Sequence, residues 1–202
     1  LCTHPYPIFT PHCDTDPLNQ MKSALHAAAQ SLYYADLGGK PCFAEEMGVL
    51  GPMVVSDAYA ADYIRASLLT LLAHDCRGML WWCGFEQSEL SRTPYDWNGV
   101  ERELGLFYLD RTEKPVLKAM TAFSEFVEAL PFRRMPKRMT DAVCVLTRGQ
   151  DAWAAAYGAF ILARQAHVDL TFAWADGPIP EAPAYLLPSV IGDTPMNRSV
   201  YL

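Results

Sequence analysis

The chain has 202 residues, 51% of them hydrophobic, 19% charged and 12% aromatic, with a formal net charge of -7 and a pI near 5.1. Few charges and many aromatics mark a packed globular chain, long enough for one domain or one and a half. The acidic balance excludes a nucleic-acid surface, which needs a basic footprint, and no apolar run reaches the roughly 18 residues of a spanning helix, so no membrane partner is expected.

Residues 1–4 read as the tail of a strand, followed by a Pro-rich loop through Pro17. Over residues 18–37 the apolar positions Met21, Ala24, Leu25, Ala28, Leu32 and Ala35 recur at helical spacing, with Asp16 as N-cap before Pro17 and Gly38-Gly39 as the stop. A strand at 41–45 follows, with Gly48 and Gly51 in the loop beyond it. Ser56 can cap a second helix running to about residue 74, with Tyr59, Tyr63, Ala66, Leu69 and Leu72 as candidate core contacts. Residues 78–83 are apolar throughout and read as a strand buried on both faces. A long loop and a helix at 115–130 complete three strand–helix units, spaced for parallel crossovers. Residues 131–140, which hold the one basic cluster (Arg133, Arg134, Lys137, Arg138), read as a solvated linker. Beyond it, strands at 142–146, 170–174 and 185–187 and a helix at 153–165 begin a second α/β unit with a parallel sheet.

Six cysteines (Cys2, Cys13, Cys42, Cys76, Cys83 and Cys144) show no C-x-x-C spacing. Cys42, Cys83 and Cys144 lie in apolar runs, where a free thiol behaves as a small hydrophobe. Neither a metal nor another cofactor is expected, and the free thiols lean towards a reducing, cytoplasmic setting. The chain opens without an initiator Met and stops with no terminal element, so it is expected to be a piece of a longer polypeptide.

The stretch "KPCFAEEMG" places Glu45 and Glu46 side by side at the end of the second strand. Alternation gives Cys42, Ala44 and Glu46 one face and Phe43 and Glu45 the other. In a closed barrel the small side chains suit the crowded interior and Phe43 the helix layer. Glu46 then stands at the carboxyl end of its strand on the interior side, where barrel active sites are built.

This stretch resembles the seventh strand of the retaining glycoside hydrolases with (β/α)8 barrels, the clan of the family 5 cellulases and mannanases, which ends in a nucleophilic Glu, an aromatic or Met, and Gly. "THPYP" resembles the end of strand six, with His4 and Tyr6 in the family's His and Tyr places. "GMLWWCGFEQ" resembles strand eight, and counting back from Glu86-Gln87 makes Trp82 the sugar-platform residue, with Trp81 left open. "ELGLFYLDRTEKPVLKAM" is similar to the approach to the last barrel helix. The segment from Asp141 resembles the flavodoxin-like domain of family 42 β-galactosidase-type enzymes.

The resemblance implies strands six to eight of a TIM barrel over residues 1–130, a linker at 131–140, and the first part of a flavodoxin-like α/β domain over 141–202. It implies a retaining β-glycosidase acting on a carbohydrate, such as a β-mannoside or β-galactoside. Glu46 would be the nucleophile and His4, Tyr6 and Trp82 would bind substrate. The family's acid/base sits in an Asn-Glu pair at the end of strand four; the sequence holds no such dipeptide, so that residue is expected outside this chain. The second domain of the relatives suggests a homo-oligomer. The alternative is a non-catalytic carbohydrate-binding or scaffold protein on a degenerate barrel. Three barrel strands leave an uncovered interior, so exposed apolar side chains are expected on the first and third strands, with Trp82 among them.

Overall fold

The computed structural model describes residues 1–7, 21–49, 51 and 54–188. The Pro-rich loop through Pro17, the Asp16 cap, His12 and Cys13 lie outside the described residues. Two parallel sheets organise the chain. The first runs in the order β1-β2-β3, from β1 (Cys2–Thr3), β2 (Phe43–Met47) and β3 (Met79–Trp81). Its helices are α1 (Met21–Gly38), α2 (Asp57–Ala73), the short α3 (Gly99–Arg102) and α4 (Pro115–Glu128). The second sheet runs β5-β4-β6, from β4 (Ala142–Leu146), β5 (Leu170–Trp174) and β6 (Ala184–Leu186), with α5 (Ala152–Gln165) between β4 and β5.

Local signals account for most boundaries. The Ser56 side chain accepts a hydrogen bond from the Tyr59 amide at 3.3 Å, a cap that contributes about 1 kcal/mol. Lys114 is the N-cap of α4 and Pro115 opens it. Asp151 accepts from the Ala154 amide and starts α5. Gly39 leaves α1 with φ +63°, a left-handed conformation that side chains with a Cβ resist. Only α3 has no counterpart in the sequence expectations; it is a single turn inside the long loop after β3.

The faces were harder to foresee. The buried residues of α2 are Ala60, Ala61, Tyr63, Ile64, Ser67, Leu68 and Leu71; of the expected core contacts only Tyr63 is among them, and Leu69 is exposed. This helix is apolar around most of its circumference, so packing between α1 and α4 chose the face. In α1 every residue from Leu25 to Leu32 is buried, because the helix is wedged between the two sheets. Leu25, Ala28, Ala29 and Leu32 join α5, β4 and β5 in one core, while Ala27 joins α2 and α4 in another. Asp36 fixes that wedge: it takes Arg138 and the hydroxyl of Thr171 at 2.7 Å, and the amide of Phe172 at 3.0 Å. β4 is buried on both faces as its apolar run predicts, with Cys144 towards α5 and Val143 and Val145 towards Ile179, Ala182 and Leu187.

β3 corrects an expectation. Met79 and Trp81 pack on the α2–α4 core, but Leu80 and Trp82 are exposed, at 55% and 40%. No described residue covers that side of the first sheet, so a continuous apolar run is here buried on one face only. Cys83 falls after the strand instead of inside it.

Candidate active site

Thr3 pairs in register with Ala44, and the Thr3 hydroxyl donates to Gln30 of α1 at 2.8 Å. Both side chains therefore face the helices, and their successors His4 and Glu45 face the open side. The partners of Ala44 and Met47 across β3 are Met79 and Trp81, so two residues, Glu45 and Glu46, stand opposite one, Leu80. This is a bulge at Glu45-Glu46, and burial agrees: Ala44 and Met47 are fully buried, while both glutamates remain accessible. The alternation argument put Cys42 and Ala44 on the same face as Glu46, and the structure corrects that assignment. Cys42 and Ala44 face the helix layer, and it is the bulge that turns Glu46 back to the open face beside Glu45.

Glu46 is held from β1. The Tyr6 hydroxyl donates to Glu46 Oε1 at 3.0 Å. His4 Nδ1 lies 3.7 Å from Glu46 Oε2, and His4 Nε2 lies 3.4 Å from Glu45 Oε2. Burial, then the hydrogen bond to Glu46 and its negative charge, push the Tyr6 hydroxyl well above the ordinary tyrosine range. Tyr6 therefore stays protonated and donates throughout the physiological range.

The loop carrying His4 and Tyr6 is anchored beneath. The Tyr6 amide donates to the His4 carbonyl at 2.9 Å, and Pro5 and Pro7 are fully buried. The Pro5 carbonyl lies 3.3 Å from Nδ1 of the buried His26. A carbonyl only accepts, so Nδ1 carries the proton. The His26 ring meets the edges of Trp153 and Tyr157 of α5, which links the second sheet's helix to this loop. Gly48 completes the crowding, since a Cβ there would sit 3.1 Å from the Trp82 carbonyl and 3.4 Å from the Tyr6 ring.

On β3 the two tryptophans part. Trp81 Nε1 donates to the Leu104 carbonyl at 3.0 Å and its ring packs on the helix core; Trp82 projects to the open side. The Trp82–Cys83 peptide bond is cis. Since the three strands are parallel, His4, Glu46 and Trp82 all stand at carboxyl ends. Glu86 is occupied elsewhere, 2.6 Å from the buried Lys114. Trp97 is exposed, and Arg92 lies over the ring of Tyr95 at 5.9 Å. Among the described residues no group of three His, Cys, Asp or Glu side chains is arranged to hold a metal ion.

Three contributors escaped the sequence reading. Glu45 was assigned to the opposite face, and nothing in the composition of the strand marks the bulge. His26 carried no signal beyond a histidine on an apolar helix. Lys114 stood in view as the residue before Pro115, but its burial depends on Asp57 at the start of α2 and Glu86 in the loop after β3.

No protein-family model matches the chain, and no curated relative matches it. Solved structures do. Exo-beta-1,4-mannosidase Op5Man5 from Opitutaceae bacterium strain TAV5 is 19% identical with a TM-score of 0.77, over 99% of this chain and 38% of that one. A Glu-to-Ala variant of GH5_18 from Bifidobacterium longum subsp. longum ATCC 55813, in complex with Manb1-4GlcNAc, is 14% identical with a TM-score of 0.67, over 95% of this chain and 50% of that one. GH5_18 from Streptomyces cattleya, in complex with GlcNAc, is 22% identical with a TM-score of 0.65, over 79% and 40%. The chain shares the fold of part of these structures. It spans 38% to 50% of the length of these structures.

Proposed function

We propose that the protein carrying this chain is a retaining β-glycosidase with Glu46 as its nucleophile. The observation that carries the reading is the convergence of Tyr6 and His4 on Glu46 at the carboxyl ends of parallel strands. Retaining hydrolysis uses two carboxyl groups roughly 5–5.5 Å apart. Glu46 attacks the anomeric carbon as the leaving oxygen is protonated, and water then releases the sugar from the glycosyl-enzyme. Tyr6 holds the carboxylate against rotation while it waits. Trp82 offers a flat apolar face to the C–H side of a pyranose ring. The acid/base and the remaining barrel strands come from polypeptide outside residues 1–202, and they cover the open face on which Leu80 and Trp82 lie.

A β-mannoside is the favoured substrate over a β-galactoside, in line with the exo-beta-1,4-mannosidase and the Manb1-4GlcNAc complex among the similar structures. We assign residues 1–130 to the barrel, 131–140 to a linker and 141–202 to the start of a flavodoxin-like domain. The sheet order β5-β4-β6 supports that last assignment, since a flavodoxin-like sheet begins with its second, first and third strands side by side.

The test is covalent trapping in the complete protein with 2-deoxy-2-fluoro-β-mannosyl fluoride, followed by peptide mass mapping. The sugar is expected on Glu46, with none in Glu46→Ala. A label on Glu45, or turnover of an aryl β-mannoside with no label, overturns the assignment. Sugar binding with neither turnover nor label favours the alternative, a carbohydrate-binding protein on a degenerate barrel.

A further inference from the structure

We propose that Glu45 is a positioning residue that orients the His4 ring towards Glu46. Its catalytic consequence rests on the glycosidase reading above; the contact itself rests on sheet geometry. Because Thr3 and Ala44 are register partners that both face the helices, His4 and Glu45 are cross-strand neighbours on the open face whatever happens further along β2. The bulge one residue later then adds Glu46 to the same face. His4 thus stands between two carboxylates, Nε2 at 3.4 Å from Glu45 and Nδ1 at 3.7 Å from Glu46.

Something must set the angle of that ring. The His4 side chain is 53% exposed, so packing alone does not fix its rotamer. A carboxylate only accepts, so the contact with Glu45 requires a proton on Nε2. With both ring nitrogens protonated, Nε2 faces Glu45 and Nδ1 faces Glu46, an ion-pair contact with each carboxylate. Glu45 is itself half exposed, and the Tyr6 hydroxyl donates its hydrogen to Glu46 instead. Its role is exerted through His4.

Two substitutions in the complete protein separate this role from a structural one. Glu45→Ala removes the acceptor; Glu45→Gln keeps an acceptor oxygen and loses the charge. The first readout is the ring nitrogen resonances of His4 in protein labelled with 15N-histidine, assigned from their absence in His4→Phe. Glu45→Ala should move them as the Nε2 contact with a carboxylate is lost, and Glu45→Gln should leave them near their wild-type positions. The second readout is the rate at which Glu46 is labelled by the fluoro-mannosyl probe, expected to fall about two- to fivefold in Glu45→Ala, the loss of one half-exposed polar contact, and to be restored in Glu45→Gln. Unchanged resonances and an unchanged rate in Glu45→Ala overturn the proposal, as does Glu45→Gln behaving like Glu45→Ala. A label on Glu45 overturns both this role and the assignment of Glu46. If the wild-type protein is never labelled, the glycosidase reading and the catalytic half of this proposal fail together, while the ring resonances still decide the contact.

Discussion

Replacing Lys114 with Met should cost about 3–5 kcal/mol of stability, far more than a surface lysine would. The Lys114 side chain is 1% exposed, and its Nζ lies 2.6 Å from Glu86 and 3.6 Å from Asp57 while donating to the Glu103 carbonyl at 2.9 Å. The Tyr108 ring sits 5.0 Å from the same nitrogen. Two unit charges 4 Å apart interact by about 4 kcal/mol at an effective dielectric of about 20. Removing the cation leaves Glu86, itself 10% exposed, as a buried charge without its nearest partner. Breaking such a pair from one side costs about 3–5 kcal/mol because the survivor is stranded. Methionine fills nearly the same volume, so the loss reads out charge and not a cavity. The assay is urea unfolding of wild-type protein, Lys114→Met, Glu86→Leu and the double variant, compared at constant m-value. The double variant should recover most of the loss, since neither charge then remains alone. A loss below about 1 kcal/mol in Lys114→Met, or a double variant as unstable as the sum of the singles, would refute the buried-pair reasoning.

Two further outcomes follow from the ionisation of Tyr108 and Cys144. Tyr108 donates to Asp57 at 2.8 Å, and that bond, ahead of burial and the nearby negative charge, pushes its hydroxyl up to about 12. A pKa raised on folding stabilises the protein below the unfolded tyrosine value of about 10 and loses that contribution as pH rises towards 12, so the alkaline limb of stability should flatten over this window in Tyr108→Phe; identical alkaline limbs would rule this out. Burial likewise raises the Cys144 thiol to about 12, whereas Cys2 is exposed, so iodoacetamide at neutral pH should alkylate Cys2 within minutes and spare Cys144 until unfolding, as peptide mass mapping would report.

The order of elements and most of their ends were legible in the chain. Apolar runs such as residues 142–146 and 170–174 became β4 and β5 at the expected positions, because a run of β-branched and small apolar residues between polar turns has few other ways to bury itself. Ser56, Asp151, Pro115 and Gly39 ended or began helices as local chemistry requires, since a cap or a left-handed turn depends only on residues within one turn of it. Faces were another matter. The choice of buried side on α2, the wedging of α1 between two sheets, and the one-sided burial of β3 depend on neighbours distant in the chain. Period-two alternation says which residues share a face, but not which face meets the helices. At Glu45-Glu46 even alternation fails, because the bulge is imposed by the mismatch between β2 and β3 and leaves no mark on either strand alone. Tertiary structure therefore decided that two glutamates, one histidine and one tyrosine meet on a single open surface: only the register of β1 against β2 brings His4 and Tyr6 across 40 residues of chain to Glu46.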